Sequence, residues 1–221
     1  MKKILVFFVT MVLSIFIFTG AGCKKSDIRD NVSEITKEYF QGVNEEGKIV
    51  GSISVGQREN PYIIDGIHQS LCDFSLITLK IESIHEEEIE VKLYINNNES
   101  SLKLYFHPVN YHYMNDLGYN LNENDEIKIE YNNQIFSFSN ISKIFKVDYN
   151  KALDIAISNL SNEIEMLYEK NVFQGECYLK ILSEQSQDFD KLFWHFSITT
   201  RDNKIYNLVI NVKTEEVILI R

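Results

Sequence analysis

Two imidazoles and a carboxylate lie close together in one stretch: His107, Tyr111, His112 and Tyr113, with Asp116 just behind. That donor set could ligate a transition metal. The spacing matches no standard site, so a solvated aromatic loop is the simpler reading. His107, His112 and Asp116 are the metal candidates, and no cofactor is expected. Glu86-Glu87-Glu88 with Glu90 offers clustered carboxylates to a hard cation. A dedicated loop would alternate its ligands with Gly, Asp and Asn, so this run reads as a solvated turn that also guards a strand edge. In Phe193-Trp194-His195-Phe196, strand alternation turns Phe193 and His195 to one face and Trp194 and Phe196 to the other. One pair then belongs in the core, and His195 is structural. Cys72 has Asp73 beside it and Cys177 has Glu176. Both neighbours oppose the lowered pKa that a reactive thiol needs. The two fall in different expected domains, so two free thiols are the simpler reading, the alternative being one bridge that staples those domains together. No serine elbow, phosphate-binding glycine loop or paired-cysteine metal site is present, and nine glycines leave little material for such loops. No catalytic residue is assigned, and the chain is not expected to be an enzyme.

The third cysteine has a different setting. Met1-Lys2-Lys3 precedes an apolar run from Ile4 to Phe18, followed by Thr19-Gly20-Ala21-Gly22-Cys23. Charge, apolar stretch and small-residue site are the parts of a secretory signal. As a helix the run would reach only about 22 Å, short of a hydrocarbon core of roughly 30 Å. With Cys23 directly after Gly20-Ala21-Gly22, the segment resembles bacterial lipoprotein signals, although Gly20 stands where the pattern has a branched residue. The resemblance implies removal of residues 1–22, acylation of Cys23 by chains such as palmitate, and a place on the extracytoplasmic face of the cell membrane.

Removing Lys2 and Lys3 leaves 32 acidic against 20 basic side chains. So acidic a body repels phosphate backbones and anionic lipid, which excludes nucleic acid as a partner. The membrane is then engaged through the lipid on Cys23, each buried methylene contributing about 0.8 kcal/mol.

The elements that must position these residues are mostly strands. Residues 23–48 read as a lipidated tether, aperiodic from Lys24 to Asn31, with a short helix expected over Asn31 to Phe40. From Ile49 the alternation is that of strands. Phe74 to Ile84 forms one, while Ile89 to Ile95 and Leu102 to Phe106 form a hairpin about Asn96-Asn97-Asn98-Glu99-Ser100. Ile127 to Tyr131 turns through Asn132-Asn133 into Gln134 to Phe138. Leu121-Asn122-Glu123-Asn124-Asp125-Glu126-Ile127-Lys128-Ile129 resembles a stretch of small OB-like barrels, with Asn124 in place of Gly. Residues 49–145 are therefore expected to form a small antiparallel barrel.

Residues 146–221 differ in kind. Asp148 is a helix cap, and an apolar stripe from Tyr149 to Leu167 predicts one long helix. Strands follow at Cys177 to Leu182, Leu192 to Thr199, Ile205 to Val212 and Val217 to Ile220. Ala152 and Ala156, with Asp202-Asn203-Lys204-Ile205-Tyr206 and Lys213-Thr214-Glu215-Glu216-Val217, resemble the PepSY family of extracytoplasmic domains. That family is non-catalytic and is implied to bind or restrain other proteins. The expected fold is thus α+β, mostly β: an OB-like barrel and then a PepSY-like domain of helix plus antiparallel sheet. The expected function is a lipid-anchored, non-enzymatic envelope protein that binds a protein or peptide partner through sheet edges or aromatic faces. The alternatives are a metal-binding or enzymatic role for the loop 107–116, or a purely structural envelope spacer.

Overall fold

The computed structural model describes residues 25–82, 86–183 and 192–220. The expected signal segment and Cys23 lie outside the described residues. Among the described residues no helix is long and apolar enough to cross a membrane.

Asp27 caps a 3-10 turn, Ile28–Asn31, and the chain then enters a twelve-residue strand, β1 (Val32–Val43), where a helix was expected. Both faces of β1 are covered, so its sequence lacks the polar stripe of a half-exposed strand. Its register slips against β2 (Ile49–Glu59) between Thr36 and Glu38. This bulge changes which face each side chain takes. Ile35 and Tyr39 enter one core, and Phe40 enters another.

The second of these cores fills a barrel. β2 pairs with β3 (Leu71–Ile81), followed around the wall by β6 (His112–Asp116), β5 (Asn98–His107), β4 (Glu88–Ile95), β7 (Ile127–Tyr131) and β8 (Gln134–Asn140). Phe40 with Asn140 and Gln41 with Ser139 join β8 back to β1 and close eight antiparallel strands. An eight-stranded interior is just wide enough to be filled by side chains. Ile53, Ile77, Leu79, Leu93, Leu104 and Ile129 fill it. Asn96-Asn97 and Asn132-Asn133 hold positive φ at both positions and make the two-residue turns after β4 and β7.

The remaining strands extend the same sheet. β11 (Gly175–Ser183) lies parallel to β1, from Val32 with Cys177 to Ile35 with Leu179. β12 (Leu192–Thr200), β13 (Ile205–Asn211) and β14 (Val217–Ile220) follow as antiparallel neighbours. One face of these strands is covered by α1 (Tyr149–Asn159) and α2 (Ser161–Met166), with Ala152, Leu153, Ala156, Leu160 and Ile164 buried. A small hairpin, β9 (Tyr168–Glu169) and β10 (Val172–Phe173), precedes β11.

This overturns the expected fold class. The barrel has eight strands and is closed through β1, and β11 to β14 continue its sheet instead of forming a separate PepSY-like helix-plus-sheet domain. The single long helix is also corrected. It breaks at Leu160 (φ −102°, ψ 21°), where Asn159, Ser161 and Asn162 compete for backbone hydrogen bonds. Asp148 does cap α1, accepting from the Lys151 amide at 2.8 Å. Asp148→Ala should therefore lower stability by about 1 kcal/mol, read as a shift in the urea midpoint with unchanged slope.

Strand directions define two ends. The turn 44–48, Ile81 at the end of β3, the turn 108–111 and Asn132-Asn133 lie at the far end, because Ile49 pairs with Ile81, Tyr113 with Leu79, and the Asn44 side-chain amide donates to Gln134. The near end holds the start of β1, Gly175 and Thr200.

Candidate functional site

The structure brings His107 and His112 together and leaves Asp116 apart. The two histidines face each other across the β5–β6 turn. Asp116 ends β6 four residues later, about 13 Å along a strand, where it holds Arg58 at 3.1 Å. The expected three-residue donor set is therefore not assembled. Burial, then Lys80 and His107, push the His112 pKa down. The positive charge of Lys80 that opposes a proton there would oppose a metal ion by the same Coulomb sign. Among the described residues no three His, Cys, Asp or Glu side chains converge on a common point.

The acidic run is likewise spread out. Glu88 pairs with Lys103 at 2.8 Å, Glu90 accepts from Ser101, and the backbone carbonyl of Glu86 accepts from the Tyr113 hydroxyl at 3.0 Å. Trp194 and Phe196 enter the core under α1, while His195 lies on the opposite face with Nε2 3.1 Å from Asn207. Cys72 is exposed and Cys177 buried, each a free thiol. Burial first and Glu176 second push the Cys177 thiol up, away from reactivity.

Sequence reasoning missed the densest polar cluster, which latches residues 60–70 onto the near end. Glu59 is buried, and its Oε1 accepts from Ser33 at 2.7 Å and from the Gln69 amide, with His68 Nδ1 at 3.2 Å. Glu176 is also buried, and its Oε1 accepts from the Asp65 and Gly66 amides at 2.9 and 2.8 Å. Glu34 pairs with Lys180 at 2.7 Å, and Lys180 donates to Tyr62. Burial and these carboxylates push the phenols of Tyr62 and Tyr178 up, so both stay protonated. Each carboxylate thus holds backbone or a neighbouring side chain through one oxygen, while Oε2 of Glu59 and of Glu176 is buried with no hydrogen-bond partner among the described residues. The only sequence signal was three glutamates inside otherwise apolar or strand-forming segments.

The adjoining cavity, about 270 Å³, is lined by Arg58, Glu59, Tyr62, Phe74 and Asp116 among others. Its volume falls below the roughly 300–1,000 Å³ of small-molecule pockets. What the far end offers instead is surface. Val109 is 77% exposed and Tyr111 67%, with Tyr105 also exposed beside them. Tyr111 is held at positive φ by the turn, its amide donates to the His107 carbonyl at 2.9 Å, and its ring meets Phe106 edge-on at 6.2 Å. Comparison with known protein families, curated proteins and solved structures finds no match to the chain.

Proposed function

We propose that this is a lipid-anchored, non-enzymatic protein of the bacterial cell envelope, fastened through Cys23 on the extracytoplasmic face, that binds a protein or peptide partner with the far end of its barrel. The address is supported by the apolar run and Gly20-Ala21-Gly22-Cys23. The observation that carries the binding role is the β5–β6 turn, where Val109 and Tyr111 stand out on a backbone fixed by strand pairing. Rigid aromatic groups offer large contact area at low entropic cost and are frequent interface anchors.

A photoreactive residue placed at 109 or 111 in the membrane-bound protein should give one discrete cross-linked species. Val109→Ser with Tyr111→Ser should weaken capture of that same species at least tenfold, the loss of about 1.4 kcal/mol or more expected of an interface anchor. Stability should stay within about 0.5 kcal/mol, as for other surface changes. Cross-linking no stronger than from a control position on β4, or undiminished capture by the double variant, refutes the role.

A further inference from the structure

The chain is already fixed to the body at its first described residues, where a tether was expected. The Ser26 amide donates to Asn171 at 2.9 Å, its carbonyl accepts from the Tyr168 hydroxyl at 2.8 Å, and its Oγ accepts from the Phe173 amide at 3.0 Å. Lys25 pairs with Glu165 and sits 3.8 Å from the centre of the Tyr168 ring. Arg29 holds Asp154 at 2.6 Å. Three Cα–Cα steps separate Cys23 from Ser26, at most about 11 Å. An acyl group on Cys23 therefore cannot leave the body hanging freely. It must bring the bilayer against the end of the molecule where Ser26 is docked.

That end is apolar. Ser26 bonds to the β9–β10 hairpin just ahead of Gly175, and Gly175 pairs with Thr200. Gly66 lies on the same end: its amide donates to Glu176, and its backbone packs so closely on Arg201 that a Cβ would come within 2.9 Å of the Arg201 Cα. Ile205 pairs with Thr199 next to Thr200, and the Leu167 carbonyl, which follows Met166, accepts from Gln174. Met166 is 72% exposed and Val172 55%, and Ile63, Ile64, Ile67 and Ile205 are exposed there too. Scattered single apolar residues are ordinary on a protein surface, but a set gathered at one end marks contact with something apolar.

We infer that this end is the lipid-facing surface of the anchored protein, so that the acyl chains on Cys23 and the side chains of Ile63, Ile64, Met166 and Val172 enter the same bilayer face. The assignment rests on the anchoring proposed above and adds an orientation to it. The body stands on its near end, with the β5–β6 turn directed away from the membrane. Asp27, Asp65, Glu165, Glu169 and Asp202 share this end with Lys25, Lys170, Arg201 and Lys204, so its charge is mixed and gives no preference for anionic lipid.

The test uses full-length acylated protein purified from bacterial membranes, with Cys72→Ser removing the exposed thiol. An environment-sensitive fluorophore is placed by Ile64→Cys, Val172→Cys or, as the far-end control, Val109→Cys. Each form is reconstituted in phosphatidylcholine vesicles carrying lipid with a nitroxide near the headgroup, and mass spectrometry reads the acyl group. Quenching several-fold stronger at positions 64 and 172 than at 109 is expected, unchanged by salt. An acylated chain with equal quenching at all three positions, or with fluorophores at 172 reporting contact between copies instead of lipid, overturns the orientation and leaves the anchor standing. A chain carrying no acyl group overturns the anchor and the orientation together.

Discussion

Gly56→Ala should cost more than 4 kcal/mol or prevent folding, one of the largest effects expected of a single methyl group in this chain. Gly56 lies opposite Thr36 at the β1 bulge, and a Cβ there would run into the Ile35 carbonyl, with the Ile35 carbon at 2.9 Å and the Thr36 Cα at 3.0 Å. All three atoms belong to the backbone, so no rotamer change relieves the clash. The only escape is to separate β1 from β2, where β1 passes from one core to the other. A loss of that size belongs to the exceptional class of point mutations. The control is Gly118→Ala. Gly118 holds φ +68° with nothing within 4 Å of a built Cβ, so only the backbone preference is lost, about 1–2 kcal/mol. Urea unfolding of both variants separates the cases. A Gly56→Ala protein as stable as Gly118→Ala would show that the two strands do not approach as described.

Trp194→Ala should remove about 3–5 kcal/mol, the usual range for deleting a large buried aromatic side chain. The ring is fully buried, meets Phe145 edge-on at 6.1 Å, and donates from Nε1 to the Val147 carbonyl at 2.7 Å. That bond ties the segment entering α1 to the first part of β12. Truncation therefore opens a cavity and leaves the Val147 carbonyl without this donor. Trp194→Phe keeps most of the volume and should lose only about 1–2 kcal/mol, mostly for the lost hydrogen bond. Thermal melts should order the three proteins accordingly, with Trp194→Ala lower by roughly 10 °C, since each kcal/mol is worth about 2–4 °C at this size. Equal melting points for the Ala and Phe variants would place the stabilisation in the hydrogen bond alone.

The β4–β5 and β7–β8 hairpins were legible because each has one wet face and a paired-asparagine turn. Strands β11 to β14 were legible too, their apolar residues alternating between clear turns. What misled was β1. Glu34 and Thr36 are buried in it, a bulge breaks its alternation, and it faces a core on both sides, so Asn31 to Phe40 read as a helix. Missing that one strand left the expected barrel without a wall strand and hid the pairing of β1 with β11 that continues the sheet. β6 was hidden because His112 to Asp116 is short and polar, and it read as part of a solvated aromatic loop. Glu59 and Glu176 carried no motif, since a carboxylate that holds a backbone amide within its own chain needs no particular spacing.

The place of β1 also governs how the molecule would bear load. Tension between the N-terminal attachment and a ligand at the barrel's far rim would run along the axis of this strand. Its antiparallel ladder with β2 has hydrogen bonds perpendicular to the strands, and its parallel ladder with β11 has bonds slanted across them. They would be sheared together rather than unzipped one at a time, making the strand that ties the two cores the mechanical spine of the molecule.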